Sequence, residues 1–183
     1  MSNRLAVVIV FVAGLLFVGS NSIYILNEME RGVLLRVGAV VNSDISTGIH
    51  LKLPFIEEVR AFDGRVLTVD APAERFLTLE KKALIVDSFA KFRIKKVEKY
   101  YTATSGDQRR AEELLKQRIN NGLRNEISKR TLHEVVSGQR DELMIDLVAS
   151  LNEVANQELG VEVVDVRVKR IDLPQEVSQS VYN

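Results

Sequence analysis

Residues 5–26 carry no charge and show no polar face, and beyond them apolar positions recur every second residue, then every fourth, then every second again. Each pattern predicts its own kind of element. Residues 5–18 hold eleven Val, Ile, Leu or Phe beside two Ala and one Gly, a density that a helix packed on one side of a soluble domain does not need. A bilayer core of about 30 Å takes roughly 20 helical residues, so residues 5–26 predict a transmembrane anchor. Leu5, Val10, Phe11, Leu15, Leu16 and Phe17 form its body, with Tyr24 at the interface where aromatic rings are favoured. The rival is a cleaved signal sequence with Val18-Gly19-Ser20 as its small-residue site; the uncharged run continues past that site, which favours retention. Arg4 and the terminal amine put residues 1–4 in the cytoplasm and the remainder outside.

Residues 27–32 alone separate this span from the first strand pattern, and six extended residues reach about 20 Å, so the folded part is expected close to the bilayer. Residues 33–79 read as short strands broken by turn signals at Gly38, Asn42-Ser43-Asp44, Thr47-Gly48, Pro54, Asp63-Gly64 and Ala71-Pro72. Asp63-Gly64, between EEVRAF and RVLTVDA, is a hairpin candidate. Residues 80–172 read as mixed α/β. In LIVDSFAKFRI, Leu84, Val86, Ser88, Ala90, Phe92 and Ile94 share one face, while Asp87, Lys91 and Arg93 share the other, with Lys95 continuing it. Behind an Asp107 N-cap, Ala111, Leu115, Ile119, Leu123 and Ile127 recur every four residues and predict a helix. A second helix over 138–159 carries Leu143, Leu147, Leu151, Val154 and Leu159, and Gly160 stops it. VEVVDVRVKRI then returns to strand, with Val164, Val166 and Val168 inward against Asp165, Arg167 and Lys169. Residues 173–183 start another helix, with Asp172 and Gln175 as a capping box and Leu173, Val177 and Val181 on one face. That pattern has only begun at Asn183, and the chain is expected to continue.

Charge and chemistry narrow the function by exclusion. Lys plus Arg and Asp plus Glu each number 25, so no long-range attraction draws the chain to nucleic acid, and no nucleic-acid partner is expected. With no Cys there is no disulfide, thiolate metal site or cysteine nucleophile. His50 and His133 lie far apart and belong to no HExxH pattern; GxSxG, GxGxxG and GxxxxGK[ST] are missing as well. The acidic pairs Glu57-Glu58, Glu112-Glu113 and Asp141-Glu142 read as solvated faces. The residues thus offer no catalytic, cofactor or metal site, and the chain reads as non-enzymatic.

ERGVLLRVGAV, GIHLKLPFIEEVRAFDGRVLTVDAPAERFLTLEKKALIVDSFAKFRI, GVEVVDVRVKRIDLP and EVSQSVYN, placed after an N-terminal span, resemble the stomatin/prohibitin/flotillin/HflK–HflC family (SPFH, or band 7), and within it the bacterial HflC group. The resemblance covers the chain from Glu28 onward. It implies an α+β fold: a transmembrane helix, a β-rich SPFH subdomain, an α/β subdomain and the start of a long helix. It also implies a single-pass protein of the bacterial inner membrane, N-terminus inside and SPFH domain in the periplasm. Such a protein would be a scaffold that assembles with itself and an HflK-like SPFH protein into a ring or cage around an FtsH-type membrane protease, modulating its proteolysis of membrane proteins. No catalytic or cofactor residue comes with the resemblance. The sequence departs from the family pattern in stopping before the long helix that builds the cage wall, so a closed ring is not expected of these residues alone. It is also short between Asn152 and Val161, where some relatives carry an insertion.

Three sets of residues are therefore candidates for contact. His50, Leu51, Leu53, Phe55 and Ile56 are expected as a membrane-proximal surface, against the competing reading that they fill the core of the β subdomain. Lys91, Arg93, Lys95 and Lys96 form a basic stripe suited to a neighbour's acidic face or lipid phosphates, against the reading of a solvated sheet face. Val177 and Val181 offer a seam to a neighbouring subunit. The other functional readings are a stomatin- or prohibitin-like organiser of membrane microdomains with no protease partner, a hydrolase, and a lipid or small-molecule binder, which would need a closed apolar cavity.

Overall fold

The first helix stops before the uncharged run ends. The computed structural model describes residues 2–43, 45–138 and 140–173, with all their side chains except those of 2–6, 18, 137, 138 and 140. Helix α1 (Ser2–Asn21) closes where Ser20 Oγ and Asn21 Nδ2 both donate to the Phe17 carbonyl, at 3.0 and 2.9 Å. Strand β1 (Ile23–Leu26) follows at once, so the expected helical anchor over 5–26 is corrected and Tyr24 belongs to a strand. Ile23 and Ile25 suit a pleat better than a helix because their branched Cβ is stiff. The side chains described in α1 are those of 7–17 and 19–21, and among the described residues no helix is long and apolar enough to cross a membrane.

Two compact units divide between Gly64 and Arg65, earlier than the break expected between 79 and 80. The first contains α1, β1, β2 (Glu30–Arg36), β3 (Ala39–Asn42), β4 (Gly48–Leu51) and β5 (Glu57–Asp63). Glu30 begins β2 inside the expected 27–32 linker, because its carboxylate accepts the backbone and side-chain N–H groups of Asn27, both at 3.1 Å, and closes a turn there. Strands β1 and β4 form an antiparallel ribbon, and β3, β2 and β5 form a second antiparallel sheet in that order. Asp63-Gly64 is not a hairpin turn. Strand β5 pairs with β2 instead of the next strand, and Gly64 N–H donates to the Met29 carbonyl at 2.7 Å.

The second unit runs β6 (Leu67–Leu77), β7 (Ala83–Ile94), α2 (Val97–Thr104), α3 (Gln108–Ser128), a π-helical turn (Glu134–Gly138), α4 (Arg140–Glu158) and β8 (Val161–Asp172). Its sheet is antiparallel in the order β6–β7–β8, with α3 packed on β6 and α4 on β8. Strand β7 alternates as its sequence reads, burying Leu84, Val86, Ser88, Ala90, Phe92 and Ile94. Asp107 caps α3 by accepting the Arg109 N–H at 2.9 Å, and Ala111, Leu115, Ile119, Leu123 and Ile127 are buried.

Two inward positions are corrected. Val163 pairs with Phe92 and Asp165 with Lys91, which leaves Val164 as the extra residue of a bulge and turns it outward. In α4 it is Ala155, fully buried, that continues the stripe, while Val154 is exposed. The outer edge of β8 is closed at one point by a side chain: Asn152 of α4 donates to the Val163 carbonyl and accepts its N–H, both at 2.7 Å, standing in for a neighbouring strand. Residues 174–183, including the capping partner Gln175 and the seam residues Val177 and Val181, lie outside the described residues.

Candidate functional site

In the β1–β4 ribbon Ile23 faces Leu51, Tyr24 faces His50 and Ile25 faces Ile49. Alternation sends the four aliphatic residues to one side, where all are exposed. On the other side the Tyr24 and His50 rings stack with centroids 5.3 Å apart, and His50 Nε2 lies 2.7 Å from the Ser46 carbonyl. Lys52 N–H donates to the Ser22 carbonyl at 2.7 Å, carrying the pairing up to the end of α1. An apolar helix therefore runs directly into an apolar ribbon.

Beyond the ribbon, the loop after β4 exposes Leu53, Phe55 and Ile56, and Phe55 is 84% exposed. Beside it the β2–β3 turn exposes Val37 at 88%, joined to the loop by Val37 N–H donating to the Ile56 carbonyl at 3.2 Å. Phe55 and Val37 both have left-handed backbones, φ 69° and 51°. That conformation is costly for a bulky or β-branched residue, and strain of this kind concentrates where a side chain has a task. Leu51, Leu53, Phe55 and Ile56 are on the surface, His50 is half-buried beneath Tyr24, and among the described residues Leu26, Val33 and Leu35 are the buried apolar ones of this unit. Ile23, Ile25, Ile49 and Val37 join the surface without having been singled out; a Val placed before Gly at a turn was the available signal for the last.

Glu57 holds the loop. Its carboxylate accepts the Leu53 N–H at 2.8 Å and the Arg36 guanidinium at 2.7 and 3.2 Å, while its own N–H donates to the Leu53 carbonyl at 2.9 Å. The Leu53 bond first and the Arg36 bond second hold the carboxyl below its ordinary range; burial opposes them, and the Arg36 charge adds a lesser pull downward. A depressed folded pKa contributes above the unfolded value and is lost as pH falls through the folded one. The protection factor of the Leu53 amide should accordingly be constant near neutrality and fall below the usual carboxylate range, and Glu57→Gln should flatten that dependence. A wild-type profile without any acid limb would show that the carboxylate does not hold the loop.

The basic stripe is partly engaged within the sheet. Glu162 receives Arg93 Nε at 2.5 Å and Lys95 Nζ at 3.3 Å, and these partners hold its carboxyl below the usual range. Lys91 is exposed opposite Asp165 in the β7–β8 register, and Lys96 precedes α2 with its N–H on the Gly160 carbonyl at 2.8 Å. His133 is exposed beside the π-helical turn. Among the described residues no three His, Asp or Glu gather to hold a metal ion.

These features define a small β unit that exposes an apolar surface, followed in the chain by an α/β unit with a side-chain-filled core. The chain belongs to the SPFH domain / Band 7 family, whose profile matches residues 24–182. It is similar to Protein HflC of Buchnera aphidicola subsp. Schizaphis graminum, 40% identical over 197 residues covering 97% of this chain and 64% of that one. It is similar also to Protein HflC of Haemophilus influenzae, 42% identical over 171 residues, covering 88% and 58%. The Modulator of FtsH protease HflC of Escherichia coli is 35% identical over 228 residues, covering 100% and 67%. The chain thus spans about three fifths to two thirds of the length of these relatives.

Proposed function

We propose that this chain is a non-catalytic scaffold subunit of the bacterial inner membrane, anchored through α1 with its N-terminus inside and both units on the periplasmic side. It assembles with itself and with an HflK-like SPFH protein around an FtsH-type membrane protease and modulates that protease's action on membrane proteins. The observation that carries the reading is the exposed apolar ribbon continuous with α1. Ile23, Ile25, Ile49 and Leu51 lie where the helix ends, and lowering the four into lipid stabilises by about 6 kcal/mol at about 1.5 kcal/mol each, some ten times thermal energy. Anchor and ribbon together fix the orientation of the unit on the bilayer, which is what side-by-side assembly requires. The protease is inferred from the similarity to the Escherichia coli modulator of FtsH protease.

The test is purification of the protein from its native membranes after mild solubilisation, with identification of what accompanies it. A membrane AAA protease and a second SPFH chain are the expected companions, and an SPFH assembly without any protease would overturn the protease reading. A reporter active only in the periplasm, fused after Asn183, should be active and membrane-bound. Recovery of a soluble product beginning near Asn21 would overturn the anchor.

A further inference from the structure

The sheet of the second unit has two unlike flanks. Strand β8 ends it on one side with α4 packed on it, and β6 ends it on the other with α3 packed on it. Along the α4–β8 flank runs an open groove whose lining includes Asp141, Met144, Ile145, Val148, Ala149 and Val164. Ile145 is 69% exposed, and the bulge that takes Val164 out of the core aims it into the same groove. Asp141 and Glu142, one turn before Ile145, are exposed beside it. The α3–β6 flank carries the opposite charge around an apolar point of its own. Leu77 of β6 is 51% exposed, Arg75 is exposed two residues before it, and Arg124 of α3 is held at this flank by Glu74 of β6 at 3.2 Å.

The polarity runs along both helices. Helix α4 carries Asp141, Glu142, Asp146, Glu153 and Glu158 against Arg140, whereas α3 carries Arg109, Arg110, Lys116, Arg118 and Arg124 against Glu112, Glu113 and Glu126. Within one copy the two helices already meet by this rule, Arg118 on Glu158 at 2.5 Å and, just past α3, Arg130 on Asp146 at 2.6 Å. A second copy that brings its α3–β6 flank to the α4–β8 flank of the first repeats the same pairing. Neither edge favours fusion of the two sheets through their backbones: Asn152 occupies Val163 on β8, and Pro72 lies where the register of β6 shifts. Side chains are left to make the contact. Strands β6 and β8 are both antiparallel to β7, hence parallel to each other, and a neighbour added this way keeps the strand direction. We propose that the α4–β8 flank of one copy docks the α3–β6 flank of a second copy of this chain, with Ile145 and Val164 at the apolar centre and the acids of α4 facing the basic residues around Leu77. Charge at the rim selects the partner and its orientation, and the apolar centre supplies affinity. Because the two surfaces differ, the contact propagates in one direction from copy to copy, as a ring requires. The proposal rests on the scaffold reading, which sets copies side by side in one membrane.

In native membranes, Ile145→benzoylphenylalanine should on illumination give a two-chain product whose cross-linked peptide comes from residues 67–79 or 108–128 of the second copy. Its yield should be at least fivefold that of Lys91→benzoylphenylalanine, a probe on the wet face of the sheet. Asp141→Lys with Glu142→Lys, both changes on the surface, should lower the yield from position 145 at least fivefold, and an unchanged yield would overturn the proposal. So would a product linked to α4 or β8 of the second copy, a product with a different protein only, or no two-chain product. Protease and SPFH companions recovered beside a cross-link that maps elsewhere would remove this contact and leave the scaffold reading, and the expected cross-link without those companions would do the reverse.

Discussion

Gly160→Ala is expected to destabilise the second unit by about 2 to 5 kcal/mol, although it adds one methyl group. Two independent costs meet there. Gly160 follows α4 with φ 67°, a left-handed conformation that costs a side-chain-bearing residue about 1 to 2 kcal/mol. A Cβ at this position would also collide with the Lys96 carbonyl oxygen and stand 2.9 Å from Tyr100 N. Those two atoms form a 3.0 Å hydrogen bond that opens α2, and the Gly160 carbonyl in turn accepts the N–H groups of Lys95 and Lys96 at 3.0 and 2.8 Å. The exit of β7 and the entry of β8 are therefore one backbone crossing, and prying it open adds a cost in the range of about 1 to 3 kcal/mol for overpacking. Gly38→Ala isolates the first cost, since Gly38 has φ 82° with nothing within 4 Å of the added atom, and it should destabilise its own unit by about 1 to 2 kcal/mol. Denaturant midpoints at unchanged slope give both values, each on its own unit's transition. Equal losses would mean that the crossing adds nothing beyond the backbone angle.

Sequence pattern reached those elements whose periodicity is set by one wet face. Strand β7 and helix α3 are of this kind: Lys91 and Arg93 on one, and the polar positions between Ala111 and Ile127 on the other, mark where solvent lies. Where both neighbours are apolar the signal fails. Hydropathy does not separate the end of α1 from IYIL, and the boundary came from Ser20 and Asn21 taking the Phe17 carbonyl, a polar detail inside an apolar run. Asp63-Gly64 has hairpin composition, but β5 finds its partner in β2, and no local signal reports a pairing so distant in sequence. Alternation alone turns Val164 inward, because a bulge shifts the pattern by one residue without changing composition. The surface on the first unit was half legible. Leu51, Leu53, Phe55 and Ile56 are conspicuous as an apolar stretch, yet the same stretch would serve as core. Only the pairing of β1 with β4, and the filling of that unit by Leu26, Val33 and Leu35, decide that they face outward.

Phe92→Ala should cost about 3 to 5 kcal/mol and Lys91→Ala less than about 0.5 kcal/mol, a contrast between adjacent residues that tests the register of the central strand. Phe92 is fully buried and sits between Leu67 of β6 and Val163 of β8. Strand β7 has a paired strand on each side, and α3 packs on β6 and α4 on β8, so the surroundings of Phe92 have little freedom to collapse into the space left behind. The loss should therefore approach the upper part of the range for a large-to-small change, where the cavity persists and its cost adds to the lost burial. Lys91 points to the wet face opposite Asp165, where removing a solvated charge changes little. Val164 sharpens the test, because the bulge that turns it outward lies between the partners of Lys91 and Phe92. Val164→Thr should be nearly neutral, while the same change at buried Val163 should cost at least about 1 kcal/mol for an unpaired hydroxyl in the core. Equal losses at 91 and 92, or at 163 and 164, would place the bulge one residue away and turn the opposite side chains of β8 toward α4.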